Sequence, residues 1–503
     1  MSQAGVLLIR CDASVSIGTG HAMRCLALAQ AWQDAGGHAV FAMAEATSAV
    51  DERLEREGIG VARLRTKVGS SDDAQETVTV ARSNQAPWVV VDGYRFGADY
   101  QAVLKTAGLK VLFVDDNGHA AHYDADLVLN QNVYASEALY PSREPSTKLL
   151  LGPRFAILRR EFSAWRDWKR EIPAVARKVL VTMGGSDATN FTLHVIEALC
   201  GVANPELETT VVVGGSNPHL NTLESAVRKA AKTMRLVRDA TDMPRLIAES
   251  DLGIANAGTT SWELCFMGLP AIVCALADNQ EPIARELESR NIAHSLGRLP
   301  DTTTEMIRGA VQSLANAPEK RLDMSQRAQT LVDGHGAARV VAVLQNRLQL
   351  RRTRFEDCRV FWEWANDPVV RTASFSDKPV TWQQHVSWFQ QKLEDANTIL
   401  YTATDDDQSP VGQARFQVGG DVATISISVA QKYRSRGMGL ELLNLACERV
   451  FAESHAVAID GFVKPSNAAS VRLFSAAGFR RLGLETVSSQ PAIHFLLEKS
   501  VKK

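Results

Sequence analysis

Several segments of the chain place glycine and polar residues between an apolar run and an apolar helical pattern. In the segment 433–439, Arg434 and Arg436 are followed by Gly437 and Gly439, shortly after a strand-like run. Glycines let the backbone approach an anion closely, and the first amides of a helix are unpaired donors at the positive end of its dipole. The segment therefore predicts a diphosphate site, although a strand-to-helix turn with two glycines also occurs for purely structural reasons.

The segment 12–25 has a similar pattern and adds a histidine. His21 follows a glycine turn and opens a helical pattern, so the amides near Gly20 should point out of the carboxyl end of a sheet. A histidine there is disfavoured as a cation by the helix dipole, and a neutral imidazole can accept a proton near physiological pH. His21 is thus a candidate base, and a helix-capping role is the structural alternative.

Two further glycine turns, at 182–190 and 255–263, suggest a nucleotide site. Gly185 and Ser186 suit a diphosphate, with helix–strand packing as the alternative interpretation. Gly258 and Thr259 would bring backbone and hydroxyl donors to a phosphate. Glu263, one helical turn later, could accept both hydroxyls of a ribose. Its alternative role as a solvated helix residue is weakened by its apolar neighbours.

Other polar residues lie close to the ends of predicted strands. Asp115 and Asp116 follow the apolar run 111–114 and could orient a sugar or a nucleophile, but consecutive carboxylates at a strand end are more often turn formers, and we favour that interpretation. Asp12 is similarly placed. Asn190 and Tyr94 are additional candidates.

Short apolar runs alternate with helical patterns through the first two thirds of the chain. This alternation predicts parallel sheets covered by helices, in two series that suggest two halves with a cleft between them. The runs of the first series are 6–9, 39–43, 88–91, 111–114 and 127–130, and those of the second are 179–183, 209–213, 234–237, 252–255 and 271–275.

The composition is that of a soluble globular protein of about three domains: 503 residues, 45% hydrophobic and 22% charged. The formal net charge of -2 gives no indication of nucleic-acid binding. The 7 cysteines are scattered and never spaced as in a zinc motif, which predicts reduced core thiols. With no leader-like start and no apolar run of membrane-spanning length, we expect a cytoplasmic location and no membrane insertion.

The last third of the chain resembles the Gcn5-related N-acetyltransferase (GNAT) family. The similarity rests on the strand-like run 422–429, the arginine and glycine segment, Asn467, Phe474 and Gly478, in that order. It implies a mixed α/β fold that binds acetyl-CoA, with the loop amides on the pyrophosphate and the strand at Val429 on the pantetheine arm. Phe474 departs from the tyrosine that many members use to protonate the thiolate, so another acid, such as water or Tyr433, is required. The implied cofactor-binding residues are Val429, Arg434, Arg436, Gly437, Met438, Gly439 and Asn467.

Residues 5–340 resemble nucleotide-sugar enzymes of the GT-B fold, including the glycosyltransferase that forms lipid II. The motifs at 18–25, 115–116, 151–153 and 183–185 are most similar to the UDP-sugar hydrolases of pseudaminic acid biosynthesis. The resemblance implies that water attacks the anomeric carbon with His21 as the base, that the second half binds UDP, and that no metal is needed. The implied substrate-binding residues are Asp12, Gly20, Arg24, Asp115, Gly185, Ser186, Asn190, Gly258, Thr259, Glu263, Asn279 and Gln280.

The combined prediction is an α/β chain with two Rossmann-like halves of a GT-B fold at 1–170 and 171–346, followed by a GNAT domain at 347–503. We expect consecutive steps on one metabolite, a UDP-linked amino sugar: N-acetylation from acetyl-CoA, then hydrolysis that releases UDP. Two alternatives are a glycosyltransferase with an attached acetyltransferase and a nucleotide-sugar-binding scaffold without turnover.

Overall fold

The computed structural model describes residues 5–230, 233–345, 348–376, 378–405, 408–434 and 438–499. The chain divides into two compact units, Met1–Val341 and Ala342–Lys503. All seven cysteines are free thiols, and six of them are buried. Among the described residues, no helix combines the length and the apolar character needed to cross a membrane.

The first unit begins with a seven-stranded parallel sheet in the order β3-β2-β1-β4-β5-β6-β7. Its central strands are buried on both faces, which is why they read as continuous apolar runs. Its strands are β1 (Val6–Cys11), β2 (His38–Met43), β3 (Gly60–Arg63), β4 (Trp88–Asp92), β5 (Lys110–Val114), β6 (Leu127–Asn130) and β7 (Lys148–Leu151), and its helices are α1 (Gly20–Asp34), α2 (Ser48–Arg56), α3 (Ser71–Ser83) and α4 (Ala98–Thr106).

A second parallel sheet of six strands follows in the same unit, in the order β10-β9-β8-β11-β12-β13. Its strands are β8 (Lys178–Thr182), β9 (Glu208–Val213), β10 (Thr233–Arg238), β11 (Leu252–Asn256), β12 (Ala271–Ala275) and β13 (Ala293–Arg298). The helices are α5 (Phe191–Cys200), α6 (Leu220–Lys229), α7 (Met243–Ala248), α8 (Thr260–Phe266), α9 (Glu281–Ser289), α10 (Thr304–Ala315), α11 (Pro318–Leu331) and α12 (Gly336–Leu344).

Both parallel sheets reverse their strand order at one point, between β1 and β4 in the first and between β8 and β11 in the second. At such a switch point, the loops that leave the two neighbouring strands turn to opposite faces of the sheet and open a crevice at its carboxyl edge. Ligand sites of open α/β sheets lie in these crevices. The topology therefore directs attention to the loops after these four strands.

The second unit contains a mixed sheet in the order β14-β15-β16-β17-β18-β20-β19, in which β17 and β18 pair in parallel and the other described pairs are antiparallel. The strands are β14 (Gln349–Arg352), β15 (Thr398–Thr404), β16 (Pro410–Gly419), β17 (Val422–Val429), β18 (Ala458–Val463), β19 (Arg480–Val487) and β20 (Gln490–Glu498), and the helices are α13 (Cys358–Ala365), α14 (Pro368–Ala373), α15 (Trp382–Glu394), α16 (Met438–Glu453) and α17 (Ala468–Ala476). The predicted fold class, two Rossmann-like sheets followed by a mixed α/β domain, is confirmed.

Candidate functional site

A cleft with a cavity volume of about 680 Å³ lies between the two parallel sheets of the first unit. Its walls come from the loops after β1, β4 and β5 on one side and after β8, β11 and β12 on the other. Its size falls in the range of small-molecule and cofactor sites. Most of the residues predicted to bind substrate line it: Asp12, Gly20, His21, Arg24, Gly185, Ser186, Gly258, Thr259, Glu263, Asn279 and Gln280.

His21 forms a buried dyad with Asp92. The ring Nδ1 lies 2.6 Å from Asp92 Oδ1, and the imidazole is 10% exposed while the carboxylate is fully buried. A carboxylate only accepts hydrogen bonds, so Nδ1 carries the proton and donates it to Asp92. This tautomer leaves the lone pair of Nε2 as the basic position of a neutral ring. The dyad thus has the form of a histidine base oriented by an acid.

Arg24 holds the acid of this dyad in place. Its Nε and Nη2 each lie 2.6 Å from an oxygen of Asp92, and its Nη1 lies 2.9 Å from both oxygens of Asp116. Burial opposes ionisation of Asp92, but Arg24 and His21 outweigh it and hold the pKa of this carboxyl well below its usual range. Asp92 therefore remains a carboxylate across the physiological pH range.

Sequence analysis did not identify Asp92. It ends β4 on the other side of the switch point from β1, which places its side chain opposite the start of α1. The signal that was available is an aspartate at the end of an apolar run, followed by glycine and tyrosine. That signal is common at strand ends, so only the strand order reveals the pairing with His21.

Tyr94 connects the two walls of the cleft. Its hydroxyl donates to Asp116 Oδ2 at 2.9 Å and accepts from Asn279 Nδ2 at 2.8 Å. Its ring meets the His21 ring edge-on, with centroids 5.0 Å apart. Burial, together with the nearby charge of Asp116, raises the pKa of Tyr94, so the phenol keeps its proton. Tyr94 and Asn279 thus join the first half to the second beside the dyad.

The glycine turn after β8 meets the turn before α1. A Cβ built on Gly185 would overlap the hydroxyl oxygen of Thr19, so only glycine allows the two loops this separation. Gly184 has a φ of 84°, in the left-handed region that favours glycine. Both glycines line the cleft, and their loop leads into α5. The turn therefore forms part of the cleft wall while bringing the halves together.

Asn256 lies between the glycine turns of the second half and was not predicted. It ends β11, is 9% exposed, and its amide lies within 3.6–3.7 Å of a Cβ built on Gly184 and at 3.0 Å from one on Gly258. Its buried Oδ1 accepts no hydrogen bond from the residues that the structure describes. A buried acceptor without a partner is costly, which makes Asn256 a candidate ligand contact.

Glu263 lies in the first turns of α8, against Arg159. The Arg159 Nη2 and Nε lie 2.8 Å and 3.2 Å from the same oxygen, Oε1. Burial raises the pKa of Glu263, and the attraction of Arg159 only partly offsets this effect. Glu263 therefore takes up a proton at a higher pH than an ordinary glutamate does, and the protonated carboxyl accepts fewer hydrogen bonds.

Two predicted contacts fall outside the cleft. Asp115 is fully buried, and its oxygens accept from the amides of residues 117–119 and from the hydroxyl of Tyr123, which is the turn-forming arrangement that we favoured. Its neighbour Asp116 lines the cleft instead. Asn190 adopts a left-handed conformation at the start of α5, and its side chain is not among the cleft walls.

Two predicted residues line the cleft but use their side chains locally. Asp12 is paired with Arg10 at 2.7 Å, and its other oxygen accepts from the amides of Ala44 and Glu45. The Gln280 Oε1 accepts from the amide of Leu276 at 2.9 Å. Both side chains stabilise loops around the cleft, and direct contact of these atoms with a substrate would require a local change.

The acetyltransferase-like unit has an opening in its sheet between β17 and β18. The two strands pair from Val422 with Ala458 as far as Ile425 with Gly461, whereas β17 continues to Val429 and β18 to Val463. Beyond the last pair the strands diverge. The backbone of β17 that faces this opening has hydrogen-bonding groups available for an extended ligand.

The residues around the start of α16 are consistent with an anionic ligand. Met438 and Gly439 form its first turn, while Arg436 and Gly437 lie outside the described residues. Arg434 donates from Nε to the carbonyl of Val429 and pairs with Asp367 at 3.1 Å. Its Nη2 is buried without an acceptor among the described residues. This orphaned donor fits a phosphate, so these residues suit the pyrophosphate of coenzyme A.

Asn467 and Phe474 have structural partners. Asn467 caps α17: its Oδ1 accepts from the amide of Ser470 and its Nδ2 lies 2.9 Å from the hydroxyl of the same residue. Phe474 packs in the core against Phe479 and Phe495. Tyr433, one of the acids considered, donates its hydroxyl proton to Asp405. Burial is the larger cause and this hydrogen bond the smaller one, and both raise the pKa of the Tyr433 phenol.

Comparison with known proteins identifies two families of domain. Residues 179–340 match the glycosyltransferase family 28 C-terminal domain, and residues 347–480 match the acetyltransferase (GNAT) domain. The chain therefore carries a GT-B-like domain followed by a GNAT domain.

Two curated relatives and one solved structure illustrate the similarity. An uncharacterised protein of Methanocaldococcus jannaschii is 20% identical over 494 residues, covering 93% of this chain and 96% of its own. The spore coat polysaccharide biosynthesis protein SpsG of Bacillus subtilis is 26% identical over 237 residues, covering 47% of this chain and 69% of its own. The crystal structure of Acinetobacter baumannii MurG is 18% identical, covers 68% of this chain and 99% of its own, and has a TM-score of 0.48.

Proposed function

We propose that the chain is a bifunctional enzyme of nucleotide-sugar metabolism. Its second unit transfers an acetyl group from acetyl-CoA to the amine of a UDP-4-amino-4,6-dideoxy sugar that already carries an acetamido group at C2. Its first unit hydrolyses the resulting UDP-2,4-diacetamido-2,4,6-trideoxy-β-L-altropyranose and releases UDP, as in pseudaminic acid biosynthesis. The domains would be 1–170, 171–346 and 347–503, in a cytoplasmic protein whose free cysteines suit a reducing compartment.

The observation that carries the hydrolase proposal is the His21–Asp92 dyad in the cleft. In the proposed reaction, Nε2 of His21 takes a proton from a water molecule as its oxygen bonds to the anomeric carbon. The bond between that carbon and the diphosphate oxygen breaks, and UDP leaves with the electron pair. Asp92 stabilises the imidazolium that forms, and Arg24 fixes Asp92.

In this proposal, the second half binds the nucleotide on the other side of the same cleft. The glycine turns at Gly185 and Gly258 line the cleft and would offer backbone donors to the diphosphate, and Glu263 on α8 would accept hydrogen bonds from a ribose. The match of residues 179–340 to a glycosyltransferase C-terminal domain agrees with such a donor-sugar site. The name of the Bacillus subtilis relative also refers to polysaccharide biosynthesis.

The acetyltransferase proposal rests on the GNAT match and on the opening between β17 and β18. Acetyl-CoA supplies a thioester carbonyl as the electrophile when bound. Arg434, Met438 and Gly439 would hold its pyrophosphate, with the β17 backbone beside the pantetheine arm. The acceptor nitrogen forms the amide bond, the thioester C–S bond breaks, and the thiol and one net proton are released from an ammonium substrate.

A glycosyltransferase is the second candidate for the first unit, because the matched domain family carries that activity in its description. The two reactions differ in what attacks the anomeric carbon. UDP release by a transferase requires a carbohydrate or lipid acceptor, whereas a hydrolase needs only water.

Substitution of His21 tests the hydrolase proposal. His21→Ala should lower the rate of UDP release from the diacetamido UDP-sugar by about 100-fold or more, because it removes the proton acceptor. CoA release from acetyl-CoA and the amino sugar nucleotide should be unchanged. His38→Ala, an exposed histidine at the start of β2, is the matched control. Wild-type rates of UDP release in His21→Ala would contradict the assignment of the base.

A further inference from the structure

One face of the acetyltransferase sheet carries charged side chains on both sides of the opening. In β18 and β20, Ile459, Val463, Ile493 and Phe495 pack in the core. Because side chains alternate along a strand, Asp460, Phe462 and His494 lie on the opposite face. The same face of β16 and β17 presents Arg415 and Ser426, which are paired in the ladder.

His494 is held between two carboxylates on this face. Its Nε2 lies 2.7 Å from Asp460 Oδ1 on β18, and its Nδ1 lies 2.7 Å from Glu485 Oε1 on β19. Carboxylates only accept, so both ring nitrogens donate and the ring is an imidazolium. In agreement, burial lowers the pKa of His494 but the two carboxylates raise it above its ordinary value. Two carboxylates and one imidazolium give this triad a net charge of about -1.

The triad lies next to the opening of the sheet. His494 pairs with Phe462 in the ladder, and their rings stack with centroids 4.7 Å apart. Phe462 is the residue of β18 directly after the last pair with β17. A group bound between the diverging strands would therefore have the triad one strand away. Oδ2 of Asp460 and Oε2 of Glu485 are not the atoms that contact His494, so they can accept from a ligand.

Arg415 lies on the other side of the opening. It is half-buried on β16, and its guanidinium carbon is 5.2 Å from the centre of the Trp388 ring of α15. Burial lowers the pKa of Arg415. Among the described residues, no carboxylate forms an ion pair with it, so this cation has no partner of opposite charge within that part of the chain. A half-buried cation without a partner of opposite charge is stabilised when an anionic ligand binds to it.

We infer that the acceptor of the proposed acetyl transfer binds across this opening, with its ammonium group at the carboxylates of Asp460 and Glu485, which His494 holds in place, and a negatively charged group at Arg415. The inference rests on the proposed acetyltransferase activity. It assigns an acceptor that carries both signs of charge, such as an amine linked to a diphosphate. A polycationic amine would bring a positive charge to Arg415 and should bind less well.

Steady-state acetylation by the full chain tests the assignment. CoA release is measured with three acceptors: the UDP-4-amino-4,6-dideoxy sugar, the same amino sugar without the nucleotide, and spermidine. We expect kcat/KM to be at least about tenfold higher for the nucleotide-linked amine than for either other acceptor, since one charge-assisted contact contributes about this factor. Equal values for all three acceptors would overturn the inference.

Three variants connect the preference to these residues. Arg415→Met should remove the preference for the nucleotide-linked acceptor, while Asp460→Asn and Glu485→Gln should each raise the KM for every amine about tenfold or more. The KM for acetyl-CoA should be unchanged in all three. Controls are Arg481→Met on β19 and Asp421→Asn in the turn between β16 and β17, both at exposed positions. Acceptor KM values unchanged by the three substitutions, or an equal rise in the KM for acetyl-CoA, would overturn the assignment.

Two further measurements separate the possible failures. Melting temperatures of the variants distinguish a binding effect from loss of folding, and Arg415→Lys should restore part of the preference because it keeps the charge. If the wild-type protein acetylates none of the three amines, the proposed acetyltransferase function itself fails. If it acetylates them and the variants keep wild-type acceptor KM values, only the site inference fails.

Discussion

At the residue scale, the chemistry of the cleft depends on a histidine whose tautomer is fixed by a buried acid. His21 was a candidate base from the sequence because it follows a glycine turn and opens a helical pattern, and helix capping was the alternative. Its partner Asp92 was not evident, since 71 residues separate the two. The dyad exists because the strand order brings β4 next to β1, and no local pattern encodes that neighbourhood.

Asp92→Asn tests the dyad directly. An asparagine amide can donate to Nδ1, which would favour the tautomer with its proton on Nε2 and remove the basic nitrogen from the cleft. We expect the rate of UDP release to fall about 100-fold, while UDP binding measured by calorimetry is preserved. Asp72→Asn, at an exposed position of α3, is the control.

One result would contradict the His21–Asp92 dyad. If Asp92→Asn releases UDP at the wild-type rate, His21 does not depend on Asp92 and the proposed orientation is wrong. A lowered melting temperature is also expected, because Arg24 would lose one charged partner in a buried setting.

The raised pKa of Glu263 gives a pH dependence of nucleotide binding. A protonated carboxyl no longer accepts two hydrogen bonds, so affinity for UDP should fall as the pH falls through a value above the ordinary pKa of a glutamate. The expected loss approaches tenfold per pH unit below that point. Titration calorimetry with UDP between about pH 8 and pH 5 measures it.

Glu263→Gln separates this effect from the ligand's own titration, because the terminal phosphate of UDP also takes up a proton near pH 6. The variant should bind UDP weakly at high pH and keep only the phosphate-dependent slope. Identical slopes in the wild type and the variant would show that Glu263 does not contact the nucleotide.

At the element scale, apolar runs predicted the buried central strands and one edge strand, β10, and missed the other three edge strands. The predicted runs correspond to β1, β2, β4, β5 and β6 in the first sheet and to β8 through β12 in the second. Three strands were not predicted: β3, β7 and β13. β3 and β13 are edge strands with several exposed or half-buried residues, so their sequences lack a continuous apolar run. Continuous apolar runs thus predicted the strands that are buried on both faces, and β10 is the one edge strand of these two sheets that was also predicted.

Loops at the switch points were predicted for the same physical reason as the strands. A parallel strand must end, turn and enter a helix, and the turn shows glycine and polar residues. What the pattern did not reveal is which of these turns touch. Thr19 and Gly185 come from different halves, and their contact depends on the folded positions of both sheets.

Gly185→Ala tests the role of that contact. A methyl group would overlap the Thr19 hydroxyl, so the loops must separate, and we expect the melting temperature to fall by several degrees and UDP affinity to drop about tenfold. Gly309→Ala, within α10 with open space around the added methyl, is the control and should be neutral or stabilising. Unchanged UDP affinity in Gly185→Ala would show that the turn does not form the nucleotide site.

At the scale of the whole molecule, the proposed function combines two activities that act on different bonds of one kind of metabolite. The Methanocaldococcus jannaschii relative aligns over 93% of this chain and 96% of its own length, so the similarity extends across both units. A sugar nucleotide that is acetylated by one unit is a substrate for the other in the proposed sequence. The composition and motifs predicted both units, but the acceptor face of the acetyltransferase sheet emerged only from strand pairing.

The most direct test follows the oxygen atoms of the cleaved bond. Purified protein is incubated with acetyl-CoA and the UDP-4-amino-4,6-dideoxy sugar in water enriched in oxygen-18, with no other carbohydrate present, and the products are weighed by mass spectrometry. Our account predicts free CoA, unlabelled UDP, and a diacetamido sugar that carries one heavy oxygen. Heavy oxygen in UDP, or UDP that is released only after a carbohydrate acceptor is added, would contradict it.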